Sequence, residues 1–209
     1  MATFKVTYFA MPGRGEVLRL TLEVGGAKWE DNRVAMEDWG KMKAGLANDP
    51  VFKFPWLPHL EVVEGGSTVV VSQSIPALRF VARKLGLDGS SDAEKVLVDS
   101  ILIIYDDFLK LYVPITFSSK PDEDAEKFLK GLETQGAYLE RLLSHSKSGF
   151  LVGSKLTAAD IAIFVALREA SNNLTQKSKL KVDLSKFPKL KAHHEKIAAV
   201  PKIKAYYSK

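Results

Sequence analysis

A tyrosine stands near the end of the first apolar run of the chain, shortly before a Pro-Gly-Arg-Gly turn. The run spans residues 4–9, it contains Tyr8, and the turn occupies residues 12–15. Open α/β sheets bind ligands where their strands end, so the Tyr8 hydroxyl could donate a hydrogen bond to a ligand. Alternatively, Tyr8 is a half-buried residue whose hydroxyl bonds to the backbone, and the spacing alone slightly favours this alternative.

The glycines of this turn do not match a known phosphate-binding loop. Gly13-x-Gly15 lacks the third glycine of the dinucleotide fingerprint, because Leu18 occupies that position. The chain also contains no cysteine, which excludes disulfides, thiolate metal sites and a cysteine nucleophile. Any thiol chemistry near this turn must therefore use the sulfur of another molecule.

The elements around Tyr8 predict a small α/β domain. Short β-branched and aromatic runs predict strands at residues 4–9, 28–34, 60–63 and 68–71. Apolar residues at helical spacing predict one helix at residues 16–24, and start signals at residues 74–76 predict a second one that ends near residue 85. Ser74 is expected to cap this second helix, with Pro76 in its first turn. Residues 39–49 are interpreted as irregular, and Gly65-Gly66 as a hairpin turn.

After a linker at residues 86–94, the sequence predicts helices only. The apolar stripe of one long helix, at 4-3-4-3 spacing, consists of Leu97, Ile101, Ile104, Phe108 and Leu111. Further helices are predicted at residues 128–143, after a capping box at residues 157–160, and at residues 189–199. The predicted fold class is an α/β domain at residues 1–85 followed by an all-α domain at residues 92–209.

Composition and charge argue against several functional classes. No apolar run reaches the roughly 20 residues that cross a bilayer, so we expect a cytoplasmic protein without a membrane span. The net charge is +5, and residues 179–209 contain nine lysines against two acids. These lysines are scattered through an amphipathic pattern, which favours a solvated face over a nucleic-acid partner. The four histidines have no ligand-like spacing, so no metal is expected: His59, His145, His193 and His194.

Several motifs, in their order and spacing, resemble the cytosolic glutathione transferases, and most of all their sigma class. The motifs are YFAMPGRGEVLRL, Trp39 with Lys43, WLPHLEV, SQSIPALRFVARKLG, DDF and LTAADIAIF. The sigma class includes the glutathione-dependent prostaglandin D synthases and the lens S-crystallins. The resemblance implies a thioredoxin-like domain followed by a helical domain, which agrees with the order of elements predicted above.

The resemblance implies catalytic roles for Tyr8 and Arg14. Tyr8 would donate a hydrogen bond to the glutathione sulfur, and Arg14 would hold the hydroxyl and the sulfur in a favourable field. A free thiol has a pKa of about 8.5, so little thiolate is present at neutral pH. A hydroxyl directed at the sulfur stabilises the anion and lowers the pKa of the thiol.

The resemblance also implies which residues hold the rest of glutathione. Gln73 and Ser74 would bind the γ-glutamyl end. Leu57 and Pro58 would form a cis-proline turn that pairs with the cysteinyl unit. Trp56 departs from the polar residue that relatives usually carry at this position. The remaining implied contacts are Trp39 and Lys43 to the glycine carboxylate and, from the partner subunit of a homodimer, Asp107 to the γ-glutamyl ammonium.

The electrophile is expected in an adjoining hydrophobic cleft. Its implied lining is Phe9, Met11, Pro12, Tyr112 and Phe117. The loop at residues 44–55 is longer than in most relatives, and Phe52 or Phe54 within it is expected to insert into the partner subunit.

The implied function is that of a glutathione transferase, with glutathione as co-substrate and small hydrophobic electrophiles as partners. Two alternatives remain open. One is a glutathione-dependent prostaglandin D isomerase, and the other is a non-catalytic ligand-binding or crystallin-like member of the family. Ile103 stands where some relatives place a third interface acid around a divalent ion, so the resemblance implies no metal either.

Overall fold

The protein is described by a computed structural model of residues 2–52 and 54–208, which form two compact units. The first unit ends at Gly86 and the second begins at Leu87. Strands and helices alternate in the first unit, whereas the described part of the second unit contains helices only. The predicted fold class, an α/β domain followed by an all-α domain, is confirmed.

The first unit has the element order β1-α1-β2-α2-β3-β4-α3. A single 3₁₀ turn at Gly13–Gly15 precedes α1. The strands and helices are β1 (Thr3–Phe9), α1 (Glu16–Gly25), β2 (Lys28–Val34), α2 (Trp39–Ala47), β3 (His59–Glu64), β4 (Ser67–Ser72) and α3 (Ser74–Lys84). The strands form one mixed sheet in the order β2-β1-β3-β4, in which β1 is parallel to β2 and antiparallel to β3.

The core of the first unit lies between this sheet and two helices. Phe4, Val6 and Tyr8 alternate along β1 and are buried, as expected of a strand with one covered face. Helices α1 and α3 pack against each other and contact the sheet. The β3–β4 hairpin turns at Gly65 and Gly66, whose φ angles of 58° and 80° suit the primed turns that join twisted strands.

The interpretation of residues 39–49 as irregular is wrong, because Trp39–Ala47 forms the helix α2. None of the side chains of α2 is buried. A helix shows an apolar stripe in its sequence where it buries one face, so α2 lacks the periodicity by which the helices around residues 16–24, 97–111 and 128–143 are predicted.

The second unit is a bundle in which α6 is the central helix. Thirteen of the twenty residues of α6 are buried, and α6 packs against α4, α5 and α7. A short 3₁₀ segment, Val113–Phe117, follows α4. The helices are α4 (Asp92–Tyr112), α5 (Pro121–Ser144), α6 (Ala158–Lys177), α7 (Pro188–Ala198) and α8 (Pro201–Tyr206).

The buried face of α4 is wider than the predicted stripe. Ile101 and Phe108 are buried as predicted, whereas the other three residues of the stripe remain partly exposed. Because α4 packs against both α5 and α6, two neighbouring rows of side chains are covered instead of one. The additional buried residues are Val98, Leu102, Tyr105, Leu109 and Tyr112.

The predicted capping box at the start of α6 is present. The Asp160 carboxylate accepts hydrogen bonds from the backbone N–H of Thr157 at 2.8 Å and from its hydroxyl at 2.9 Å. The same carboxylate accepts the backbone N–H of Leu151 at 2.7 Å and lies 2.9 Å from Nε2 of His193. Asp160 is fully buried, and these partners stabilise its charge.

Among the residues that the structure describes, no helix has the length and apolar character needed to span a membrane.

Two histidines make the fold sensitive to acid. Burial, together with the charge of Lys5, lowers the pKa of His59 from 6.5 to about 4. Burial also lowers the pKa of His194 to about 4, with smaller effects of the charges of His193 and Arg168. As the pH falls from 6.5 towards 4, the unfolded chain binds protons that these folded histidines do not. Stability that is present above pH 6.5 is therefore lost over this window.

We expect the free energy of unfolding, measured by urea denaturation, to fall by about 2 kcal/mol through His59 alone between about pH 7.5 and pH 5. His59→Gln is expected to remove this part of the pH dependence. His145→Gln is the matched control, because His145 is exposed and its replacement should leave the dependence unchanged. Equal pH dependence in wild type and His59→Gln would contradict the role of His59.

Candidate functional site

The Tyr8 hydroxyl is held in a defined position at the end of β1. Tyr8 is 6% exposed, and its hydroxyl oxygen accepts a hydrogen bond of 3.1 Å from the backbone N–H of Arg14. Burial raises the pKa of Tyr8, while this hydrogen bond and the charges of Arg14 and Arg19 act in the opposite direction. The hydroxyl therefore keeps its proton at neutral pH. Because the bond from Arg14 uses an oxygen lone pair, the hydroxyl proton is left for another acceptor.

The glycines of the turn allow the chain to close over the Tyr8 ring. Gly13 has a φ of 43°, and a Cβ at this position would lie 2.7 Å from the Tyr8 hydroxyl oxygen. A Cβ on Gly15 would lie 2.6 Å from Cδ1 of the same ring. Close approach to an aromatic ring, and not phosphate binding, explains both glycines.

Sequence reasoning missed Arg19, which anchors the segment that follows β1. The side chain of Arg19 is fully buried in α1, and its Nε lies 2.9 Å from a carboxylate oxygen of Asp31 on β2. One terminal nitrogen donates to the carbonyl oxygen of Met11 at 2.8 Å, and the other donates to that of Phe9 at 3.0 Å. Glu16 lies 3.7 Å away and adds a second carboxylate. Arg19 thus fixes the backbone on both sides of Ala10.

The sheet register brings the ends of three segments to the same edge. Thr7 pairs with His59, and His59 pairs with Ser72 on the next strand. Tyr8 directly follows Thr7. Pro58 directly precedes His59, and Gln73 directly follows Ser72. Three of the segments that carry predicted glutathione contacts therefore meet beside Tyr8.

The start of α3 differs from the prediction in its cap. Ser74 is not the cap but the first residue of the helix, and Gln73 occupies the cap position without a side-chain hydrogen bond. Gln73 has a φ of 77°, which is uncommon for a residue other than glycine and turns the chain sharply from β4 into α3. Since no side chain in the described residues caps α3, its first N–H groups are suited to an anionic ligand.

The loop before β3 contains a cis peptide bond and an exposed aromatic pair. The Leu57-Pro58 bond is cis, as the resemblance implies, and Pro58 is buried. Trp56 is 45% exposed and stacks on Phe54, which is 52% exposed, with a ring-centroid distance of 5.2 Å. Phe52 instead packs against the ring of His59, so Phe54 is the more accessible of the two candidate key residues.

Trp39 and Lys43 lie one helical turn apart and share a face of α2. The Trp39 ring is half-buried and makes an edge contact with Phe9 at a centroid distance of 6.1 Å. This contact holds the start of α2 next to the end of β1. Lys43 is exposed.

The remaining predicted site residues belong to the second unit. On α4, Asp106 and Asp107 form ion pairs with Lys110 at 2.9 Å and 3.2 Å. The side chain of Asp107 is 43% exposed, so a partner molecule can reach it. Tyr112 is buried, with its ring against Phe128, whereas Phe117 is 59% exposed. Phe117 is therefore better placed than Tyr112 to contact a ligand.

Within the described ranges, no three His, Cys, Asp or Glu side chains gather into a group that could hold a metal ion.

Fold and site together define a class of protein: a thioredoxin-like unit with a tyrosine at the end of its first strand, followed by a helical unit. The profile of the glutathione S-transferase C-terminal domain matches residues 106–209. The chain is 38% identical to the probable glutathione S-transferase 5 of Caenorhabditis elegans, over 99% of this chain and 96% of the relative. It is 32% identical to the hematopoietic prostaglandin D synthase of Gallus gallus, over 100% of this chain and 97% of the relative.

A solved structure agrees with these relatives. The monomeric glutathione S-transferase Na-GST-3 of the hookworm Necator americanus is 30% identical, with a TM-score of 0.82. The match covers 99% of this chain and 96% of that one. The chain belongs to the glutathione S-transferase family.

Proposed function

We propose that the protein is an enzyme that ionises the thiol of glutathione and directs the sulfur at a hydrophobic electrophile. The proposal depends mainly on one observation, the buried Tyr8 hydroxyl that accepts the Arg14 N–H at 3.1 Å and keeps its own proton. The names of the full-length relatives support the same activity. Thioether formation from glutathione and an activated aryl halide tests it. A rate no higher than that of glutathione in buffer would contradict the proposal.

In this mechanism Tyr8 acts as a hydrogen-bond donor and not as a base. The thiol of bound glutathione releases its proton to solvent, and the Tyr8 O–H then donates to the thiolate without transferring its proton. Each unit by which the pKa of the thiol falls corresponds to about 1.4 kcal/mol of anion stabilisation. The thiolate attacks the electrophilic carbon, the C–S bond forms and the halide departs.

Other residues of the first unit are assigned to the three parts of glutathione. The first N–H groups of α3, with Gln73 and Ser74, receive the γ-glutamyl carboxylate. The backbone of Leu57, before the cis Pro58, pairs with the cysteinyl unit as an added strand. The glycine carboxylate lies near Trp39 and Lys43 on α2, and Arg14 adds positive charge near the sulfur. Trp56 contributes through its exposed ring.

Gly13→Ala is expected to lower kcat/KM for an aryl halide by about tenfold, because the added Cβ displaces the Tyr8 hydroxyl. Gly65→Ala is the matched control. Gly65 also has a positive φ, but a Cβ there meets no atom within 4 Å. The control variant should keep wild-type kinetics. Equal activity of the two variants would show that the turn does not position Tyr8.

We further propose a homodimer in which Asp107 of each subunit reaches the glutathione bound to the other. The exposure of Asp107 and the exposed Phe54 support such an interface. The structure of Na-GST-3 is that of a monomeric relative, so the assembly state needs a direct measurement. Light scattering of the purified protein should give about twice the chain mass of 23.1 kDa.

Asp107→Asn is expected to raise the KM for glutathione by about tenfold, since a hydrogen bond to a charged ammonium contributes about 1.5 kcal/mol or more. The assembly state and kcat at saturating glutathione should change little. Asp106→Asn, on the same helix and paired with the same Lys110, serves as control. An unchanged KM in Asp107→Asn, or a monomer with full activity, would contradict the shared site.

The electrophile is assigned to apolar side chains near the sulfur. Phe9 and Met11 belong to the segment fixed by Arg19, and Pro12 follows them directly. From the second unit, the resemblance implies Phe117, which is exposed, and Tyr112, which is buried. Small hydrophobic electrophiles are therefore the proposed substrate class.

A second candidate activity is the isomerisation of prostaglandin H2 to prostaglandin D2. The 32% identity to the hematopoietic prostaglandin D synthase of Gallus gallus favours it. The thiolate would open the endoperoxide and then be expelled, so glutathione is not consumed. Product analysis with the endoperoxide, in parallel with the aryl halide, separates the two activities. The same relative supports a sigma-like class, and cytoplasmic residence is part of the proposal.

A further inference from the structure

A surface cavity of the second unit concentrates positive charge far along the sequence from Tyr8. The cavity has a volume of about 340 Å³ and lies between one face of α7 and the segment after α5. Lys189 and Lys196 are seven residues apart on α7 and therefore share that face. Lys147 lines the cavity from the opposite segment. Three ammonium groups thus surround one concave site.

These charges form no ion pair within the described residues, although the Glu140 carboxylate accepts the backbone N–H of Lys189 at 3.0 Å. The cavity lining contains no Asp or Glu, and none of the three lysines pairs with a carboxylate in the described residues. Lys196 donates to the carbonyl oxygen of Ser148 and lies 3.7 Å from the centre of the Phe150 ring, and both partners are uncharged. A concave surface lined by charges of one sign raises the local concentration of the opposite ion.

The other two cavities described for this unit are different. In a cavity of about 350 Å³, Lys191 is accompanied by Asp183 and Glu195. In a cavity of about 180 Å³, Lys186 pairs with Glu133 at 3.0 Å. Lysines without an acidic neighbour in the lining therefore distinguish the cavity around Lys147 from the other two cavities.

The wall of the cavity also contains a fixed histidine. His193 is 2% exposed, and its Nε2 lies 2.9 Å from the buried Asp160 carboxylate. Its Nδ1 has no hydrogen-bond partner among the described residues. Leu143 and Ala192 supply apolar surface beside it. The lining combines several cationic groups, a rigid ring and space for an organic portion of a ligand.

We propose that this cavity binds a small molecule through a phosphate monoester or diphosphate group. Lysine ammonium groups act as point charges and bind phosphate oxygens from several directions, whereas bidentate recognition of a carboxylate favours arginine. Three lysines match the two or three negative charges of such a group. The site uses residues of the second unit alone and does not depend on the chemistry proposed for Tyr8.

Calorimetric titration of the full-length protein with inorganic pyrophosphate, at constant ionic strength and with saturating glutathione, tests the proposal. The variant Lys147→Gln/Lys189→Gln/Lys196→Gln should lose about tenfold or more in affinity. The control Lys155→Gln/Lys177→Gln/Lys204→Gln removes the same charge from exposed positions outside the cavity and should lose less than about twofold. Equal losses, or no saturable binding by wild type, would overturn the proposal.

Three further measurements make the test independent of folding and of the ligand source. The double variant Lys147→Gln/Lys189→Gln keeps Lys196 and its contacts, and it should lose affinity while its unfolding free energy stays unchanged. The ring resonances of His193 should shift on addition of pyrophosphate, and unshifted resonances would contradict binding at this wall. Vesicles of phosphatidylcholine with phosphatidic acid, compared with soluble pyrophosphate, distinguish a lipid headgroup from a free phosphate compound.

Discussion

Tyr8→Phe is expected to lower kcat/KM for an activated aryl halide by about 100-fold, the usual cost of removing one donor to a developing or stabilised anion. The KM for glutathione should change little, because the hydroxyl contacts only the sulfur in the proposed complex. The acidic limb of the pH–rate profile should move to higher pH, since the thiol then ionises less readily. Steady-state kinetics over a range of pH values measures all three quantities.

The control for this experiment is Tyr138→Phe, which removes a hydroxyl from a tyrosine that is 60% exposed on α5. Tyr138→Phe should behave like wild type. Tyr8→Phe itself should remain folded, because it removes one hydrogen bond to the Arg14 N–H, a loss of about 1 kcal/mol. Turnover by Tyr8→Phe within about twofold of wild type would show that the hydroxyl has no role in turnover and would contradict the mechanism.

Arg19→Met is expected to lower the free energy of unfolding by about 3 kcal/mol. The replacement leaves the Asp31 carboxylate and the carbonyl oxygens of Phe9 and Met11 without the guanidinium that they bind at 2.8–3.0 Å. Below its melting temperature the variant should also show a lower kcat, because the segment after β1 then positions Tyr8 and Phe9 less well. Urea denaturation and kinetics at a temperature where the variant is folded measure the two effects separately.

Arg33→Met is the matched control for Arg19. Arg33 binds the other carboxylate oxygen of Asp31 at 2.8 Å, but its side chain is 52% exposed. Exposed ion pairs usually contribute less than about 1 kcal/mol, so this variant should be nearly as stable as wild type. If Arg19→Met and Arg33→Met were equally stable and equally active, Arg19 would not be the anchor described above.

Elements that bury one face were predictable from the sequence. The strands around Tyr8 and the helices α4 and α5 follow hydrophobic periodicity, and the start of α6 follows a local rule, the capping box at Asp160. Helix α2 was missed because it buries none of its side chains. The buried face of α4 is wider than the predicted stripe because both α5 and α6 cover this helix. The number of helices that pack against α4 cannot be inferred from the sequence of α4 alone.

The candidate site shows a similar division. Tyr8 and the glycine turn were recognisable from the order and spacing of the motifs. The reason why Gly13 must be glycine is steric, and it is visible only in the structure, where a Cβ on Gly13 would clash with the Tyr8 side chain. Arg19 was missed because two of its three hydrogen-bond partners are backbone oxygens, which no side-chain pattern reveals. The only local signal was an arginine placed between Leu18 and Leu20. Gln73 took the cap position instead of Ser74 through a positive φ that its residue type does not favour.

The most direct test of the mechanism is ultraviolet titration of the glutathione thiol in its complex with the wild-type protein. Thiolate absorbance, corrected with the spectrum of the protein without glutathione, reports the pKa of the bound thiol without any electrophile. The proposed hydrogen bond from Tyr8 predicts a pKa between about 6 and 7, compared with about 8.5 for a free thiol. A bound thiol that ionises at the same pH as in buffer would contradict the account.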